Sequence, residues 1–195
     1  MKKLLILTFF AILAFIFVST YGIFESETSK EVETSLAAWK VTINDSVVSS
    51  ENKTFNIDNI VWNKKDNVKE GKIAPGMDGY FDIVIDPNKT DVSIRYDLTL
   101  DIEYLNNINE AFKITKVEEL NGNKLTLTNK NTYTGIINID NIKKNTIRIY
   151  LKWEDLEYNY ESDYNIGATD QEVEIPININ ITQYLNEEII EYSEE

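Results

Sequence analysis

Apolar and polar residues alternate with period two along most of this chain. The longest run is Val92-Ile94-Tyr96-Leu98-Leu100-Ile102-Tyr104, interleaved with Ser93, Arg95, Asp97, Thr99, Asp101 and Glu103. Such a run places one face of a strand in a core and the other in water. Phe81-Ile83-Ile85, Ile147-Ile149-Leu151-Trp153 and Val173-Ile175-Ile177-Ile179-Ile181 repeat the pattern, with weaker versions at Ala37-Trp39-Val41-Ile43, Leu125-Leu127, Phe112-Ile114 and Ile137-Ile139. No segment sustains a helical period; the best helix candidate is Ser26 to Leu36, weakened by its Thr and Val content. The fold class predicted is all-β, an antiparallel jelly-roll or immunoglobulin-like β-sandwich.

Turn residues punctuate these runs. Asp86-Pro87-Asn88 predicts a turn between two strands. Asn121-Gly122 predicts a hairpin, because both residues accept positive φ. Pro75-Gly76 ends the approach to a strand over Tyr80–Asp86, and Pro176, inside a good strand pattern, predicts an edge position or a bulge.

The N-terminus departs from this pattern. Lys2 and Lys3 precede a charge-free apolar run from Leu4 to Val18, and small residues follow at Ser19-Thr20-Tyr21-Gly22. This is the layout of a secretory signal, with cleavage expected after Gly22: Thr20 and Gly22 supply the small side chains before the bond and Ile23 becomes the new N-terminus. The alternative is an uncleaved anchor, since Leu4 to Phe24 is just long enough to span a bilayer. The expected organisation is a signal peptide over 1–22, an N-terminal arm over 23–36, a β-sandwich domain over 37–185 and an acidic C-terminal tail over 186–195.

Composition narrows the chemistry. The chain has 195 residues, a formal charge of −14, no cysteine and no histidine. An acidic surface repels phosphate backbones and anionic membranes, so nucleic acid is not an expected partner and a membrane is expected only through the signal segment. Without cysteine the domain must be stable on its core alone, and lipoprotein attachment is not expected. Without histidine there is no Ser-His-Asp triad and no histidine zinc site. Carboxylate-only chemistry stays formally open, but no pair of acids stands out. No catalytic residue and no cofactor-binding residue is expected.

Trp39, Trp62 and Trp153 are expected in or near the core, with a sugar-stacking platform as the alternative. Trp153 to Tyr164 is expected to be an acidic loop carrying Tyr158, Tyr160 and Tyr164 among Glu154, Asp155, Glu157, Glu161 and Asp163. Calcium is a weak candidate there, because the spacing does not match an EF-hand and no glycine marks the sharp turn. The C-terminal residues contain no Leu-Pro-x-Thr-Gly sequence, so sortase attachment is not expected.

Several segments together resemble the TasA/camelysin-like proteins of Gram-positive bacteria, which leave the cell through a dedicated signal peptidase. Thr20-Tyr21-Gly22-Ile23-Phe24-Glu25 is similar to that family's Thr-aromatic-Ala junction, with Gly22 in place of the usual Ala. Ile73-Ala74-Pro75-Gly76 leading into Tyr80-Phe81-Asp82-Ile83 resembles its Pro-Gly turn before a strand. Trp39-Lys40-Val41-Thr42-Ile43-Asn44 and Ile175-Pro176-Ile177 through Thr182-Gln183-Tyr184 look like poorly characterised exported relatives. The resemblance implies a jelly-roll subunit of a biofilm matrix or surface fibre that assembles by donor-strand exchange. The donor would be the arm, with Ile23, Phe24, Val32 and Leu36 as apolar anchors. The family also carries a metallopeptidase label, which a chain without histidine does not support. The expectation is therefore a secreted structural protein with no enzyme activity and no cofactor, located at the cell surface or in the matrix. Its expected partners are further copies of itself or related matrix subunits. The alternative is a monomeric adhesin or carbohydrate-binding module.

Overall fold

Two antiparallel sheets carry the fold in the computed structural model of this chain. The chain divides into two units, Met1–Leu36 and Ala37–Glu195. The residues described, 37, 39–48, 53–57, 60–70, 72–169 and 175–194, belong to the second. The signal segment 1–22, the helix candidate Ser26 to Leu36 and the arm residues Ile23, Phe24, Val32 and Leu36 lie outside the described residues.

Eleven strands are described: β1 (Trp39–Ile43), β2 (Ser46–Val48), β3 (Lys53–Ile57), β4 (Val61–Trp62), β5 (Asp78–Thr90), β6 (Ile94–Leu100), β7 (Phe112–Glu119), β8 (Leu125–Asn129), β9 (Thr132–Ile137), β10 (Asn145–Trp153) and β11 (Ile175–Gln183). Helix α1 (Ile102–Ile108) follows β6, and α2 (Tyr160–Thr169) precedes β11. One sheet has the order β2-β1-β5-β10-β7, with β4 beside β5; the other has the order β3-β11-β6-β9-β8. The chain is thus an antiparallel β-sandwich, as the alternation predicts. Its core is the inward set of that alternation: Phe81, Ile83 and Ile85 of β5, Ile94, Tyr96, Leu98 and Leu100 of β6, Ile147, Ile149 and Leu151 of β10, and Ile175, Ile177, Ile179 and Ile181 of β11, all 2% exposed or less. Each such aliphatic side chain contributes about 1.5–3 kcal/mol by leaving water, which is how the domain holds together without a disulfide.

Five expectations are corrected. The alternation through Tyr104 does not continue as strand. β6 stops at Leu100, and Asp101 caps α1 by accepting the Tyr104 N–H at 2.9 Å. A side-chain cap outweighs two further alternating residues because it satisfies a backbone donor that a helix start leaves orphaned. Tyr104 is consequently 39% exposed.

Asp86-Pro87-Asn88 is not a turn; β5 runs through it to Thr90. The register with β1 shifts between Lys40 and Thr42, so a bulge accommodates the proline. The ladder with β10 has already ended at Ile85, so the missing N–H breaks no ladder bond there. Pro176 is not at a sheet edge: β11 lies between β3 and β6 in regular register. Its carbonyl accepts from the Asp101 N–H at 3.3 Å. Pairing with β6 begins only at Ile177, so the absent proline N–H points past the end of β6. Asn121-Gly122 does turn the chain, with Gly122 at φ +84°, but it leads from one sheet to the other. β7 pairs with β10, and β8 pairs with β9.

The acidic segment after Trp153 is also not a loop throughout. Glu157–Asn159 forms a 3-10 turn and Tyr160–Thr169 forms α2. Asp163 is buried in its first turn at 8% exposure, where its Oδ1 accepts from Asn109 Nδ2 at 2.7 Å and from Trp153 Nε1 at 3.0 Å. Asn159 Nδ2 donates to Asn109 Oδ1 at 3.2 Å, which also accepts the Ala111 N–H at 2.8 Å. One carboxylate thereby ties α2 to the strand that ends at Trp153.

Candidate functional site

The strand edges are the places where this sandwich offers unpaired backbone. β2 and β7 bound one sheet, β3 and β8 the other. An edge strand carries a row of free N–H and C=O groups and is a template for another strand unless it is covered or blunted.

The β8 edge is partly covered. After β11 the chain turns at Asn186, φ 68°, with Tyr184 N–H donating to Ser93 O at 2.9 Å. Further on, Tyr192 N–H donates to Leu127 O of β8 at 2.8 Å. The C-terminal acidic segment thus lies along the domain, where the sequence predicts only a tail.

The β7 edge is different. Among the described residues β10 is the only strand that pairs with it. Leu120 N–H donates to Thr146 O at 2.8 Å, and Glu154 N–H to Ala111 O at 2.9 Å. These bonds set the phase at both ends of the strand, and alternation then turns the peptide groups of Ile114 and Val117 away from β10. A bulge opposite Tyr150 separates the two phases, and Lys113, Thr115 and Lys116 are exposed. Bulge and lysines blunt the edge without covering it. Beside β7 opens a cleft of about 280 Å³ lined by Leu100, Ile102, Leu105, Phe112, Ile114 and Tyr133. Asn106, Lys113, Lys130 and Asn131 also line it, so apolar side chains and polar groups share the cleft.

The outward face of the β5-β10-β7 sheet is a charged aromatic ladder. Arg148 donates twice to the Asp82 carboxylate, each bond 2.7 Å, and its guanidinium lies 3.9 Å from the Tyr80 ring centroid. Tyr150 O–H donates to Glu118 Oε1 at 2.6 Å, and Lys116 pairs with the other Glu118 oxygen. Hydrogen bonds from Lys116 and then Tyr150 hold the Glu118 carboxyl below its usual range, and the bond to Glu118 raises Tyr150. The bidentate contact to Asp82 raises Arg148. These pairs align strands; each charge already has a partner.

A second polar group lies between the sheets. Asn145 Nδ2 donates to Tyr96 O–H at 3.2 Å, and Glu119 Oε2 accepts the Asn123 N–H at 2.6 Å. Burial pushes the Tyr96 phenol up to about 12, so it stays protonated and acts as a fixed dipole. The ring fits only because Gly135 stands opposite: a Cβ there would lie 2.1 Å from the Tyr96 hydroxyl.

Of the residues singled out in the sequence, Trp153 is buried and stacks on Phe112 at 4.7 Å between centroids. Trp62 is half-buried against the core. Trp39 begins β1, and its side chain lies outside the described residues. Tyr158, Tyr160 and Tyr164 are 75%, 61% and 75% exposed on the 3-10 turn and α2. The cleavage residues Thr20, Gly22 and Ile23 and the arm anchors Phe24, Val32 and Leu36 lie outside the described residues. Among the described residues no three of His, Cys, Asp and Glu gather to hold a metal ion, and no helix is long and apolar enough to cross a membrane. The open β7 edge was not singled out in the sequence; its signal is the pair Lys113 and Lys116 on a strand with modest alternation. No family model, no curated protein and no solved structure matches this chain.

Proposed function

We propose that this chain is an exported structural protein, a subunit of an extracellular matrix or surface fibre that assembles by adding a β-strand from one copy to the sheet of the next. The observation that carries the reading is the β7 edge, with the peptide groups of Ile114 and Val117 turned outward beside a cleft of mixed apolar and polar lining. In β-augmentation, backbone bonds to such an edge give affinity and alternate side chains fill the adjoining cleft. Ile23 to Leu36 is the donor in this reading. Val32, Thr34 and Leu36 fall on one face of an extended segment and Glu31, Glu33 and Ser35 on the other. The acidic face would meet Lys113 and Lys116, and Val32 and Leu36 would enter the cleft. Export by the N-terminal signal with cleavage after Gly22, and membership of the TasA/camelysin-like family, belong to the same proposal. So does the jelly-roll assignment, supported by the way β5, β6, β7 and β8 alternate between the two sheets.

The test is negative-stain electron microscopy of the chain from Ile23 to Glu195, untagged at its N-terminus. Regular filaments that disappear when Val32 and Leu36 are changed to Asp are expected. Dispersed monomers at neutral and acidic pH and with calcium would overturn assembly by this chain alone. The second reading, a carbohydrate-binding module, draws on the exposed Tyr158, Tyr160 and Tyr164. It predicts a monomer whose aromatic fluorescence responds to glycans.

A further inference from the structure

A second pair of complementary surfaces lies away from β7. The segment between β4 and β5 wraps an open cavity of about 410 Å³. Its floor is apolar, formed by Ile60, Trp62, Ile73 and the buried Met77. Its rim carries Lys64, Lys65, Lys69 and Lys72 against only Asp66 and Glu70, a local excess of positive charge on a chain whose formal charge is −14. The walls are tied to the sandwich. Gly76 N–H donates to Trp153 O at 2.7 Å, Asn63 N–H to Asp78 O at 2.8 Å, and Lys65 Nζ donates to Gly76 O. Lys64 reaches Glu70 at 2.6 Å, but both side chains are more than four-fifths exposed, so this pair is easily exchanged for another acid.

The C-terminal segment has the opposite character. Between Asn186 and Glu194 it carries Glu187, Glu188, Glu191 and Glu194 and no basic residue. Glu187 is engaged locally, accepting the Leu185 N–H at 3.0 Å. Ile190 projects between Glu188 and Glu191 at 74% exposure. A large aliphatic side chain left mostly exposed on a segment that lies along the domain, and flanked by acids, is the counterpart of an apolar cavity floor rimmed by amines.

We infer that the C-terminal segment of one copy docks in this cavity on a second copy, Ile190 entering beside Trp62 with Glu188 and Glu191 against the lysine rim. The two surfaces are different parts of one chain, so the contact is head-to-tail. A pair keeps a free cavity on one copy and a free segment on the other, and the contact propagates unless rotation closes a ring. This inference rests on the self-association reading above but uses neither the N-terminal arm nor the β7 edge. Charge steers the encounter, and the desolvated aliphatic anchor supplies the hold.

Charge reversal tests it by sedimentation velocity on the chain from Ile23. One variant carries Lys64→Glu with Lys69→Glu, the other Glu188→Lys with Glu191→Lys. All four positions are exposed, which keeps the fold out of the experiment. Wild type is expected to associate at low salt and to lose that association as salt shortens the screening length from about 30 Å to about 3 Å. Each variant alone should associate at least tenfold more weakly. Their mixture should recover the wild-type affinity, because each then meets a complementary partner. Wild type that stays monomeric at millimolar concentration, variants that associate unchanged, or a mixture that fails to recover would each overturn the contact. The Val32→Asp, Leu36→Asp variant separates the two proposals: it should lose the filaments built by strand addition yet keep the salt-sensitive association.

Discussion

β7 and β8 are consecutive strands joined by one short turn, and both end a sheet, yet the chain treats their edges in opposite ways. β8 receives the C-terminal segment through the Tyr192 to Leu127 bond. β7 receives nothing among the described residues and is blunted only by a bulge and by Lys113 and Lys116. In the sheet containing β8, Tyr96 also crosses over Gly135 and reaches Asn145 in the opposite sheet, which locks the two sheets together there. An edge that is covered is part of the domain's own stability. An edge that is left open and merely blunted remains available to a strand from outside.

The largest effect should come from breaking the locked side. Gly135→Ala places a methyl carbon against the hydroxyl and ring of Tyr96, which is fully buried. The expected loss is about 3 kcal/mol, the upper end for overpacking, read from a urea unfolding midpoint. An unchanged midpoint would mean that Tyr96 is not wedged. Next comes Asp163→Ala, which strands Asn109 Nδ2 and Trp153 Nε1. An expected loss of about 2 kcal/mol follows from buried donors left without an acceptor, with a change in the near-ultraviolet signal of Trp153.

On the open side, Val117→Pro removes an N–H that faces away from β10. Proline is tolerated at such a position, so the fold should lose about 1.5 kcal/mol at most while filaments disappear under the microscope. Filaments that persist would move the acceptor edge elsewhere. Removing residues 186–195 should lower the melting temperature by only about 3 °C, the equivalent of one or two weak contacts in a domain of this size. It should also make the β8 edge self-associate in a salt-insensitive way.

The smallest effect concerns pH. Glu118 has a folded pKa lowered from its ordinary 4.5 by Lys116 and Tyr150. Its contribution is therefore present above that ordinary value and fades as pH falls through the lower folded one. Glu118→Gln should flatten that part of the stability profile, and the group is too exposed for the change to be large.

The alternation that marks β5, β6, β10 and β11 was legible because each of these strands buries one whole face, so period two is written directly into the sequence. The edge strands were weakly legible, since half of a blunted edge is solvated on both sides and Lys113 and Lys116 interrupt the pattern. The β1–β2 hairpin was missed although Asn44 and Asp45 both take positive φ, 44° and 64°; an Asn-Asp pair between two short apolar runs was its signal. Proline misled twice. A sequence shows that an N–H is missing but not which side of the strand it would have faced, and at Pro87 and Pro176 it faces no partner. Asp163 read as one acid of a solvated loop because its partners Asn109 and Trp153 stand 54 and 10 residues away.

The sequence by itself determined that this is an all-β domain with an aliphatic core and no disulfide. It also determined the absence of histidine chemistry, because composition is independent of folding and the long period-two runs can bury a face only as strands. Only the tertiary structure decided which edge is open, where the acidic C-terminal segment lies, and which lysines gather around Trp62. Those depend on which strands become neighbours, and strand order is set by packing between residues far apart in the chain.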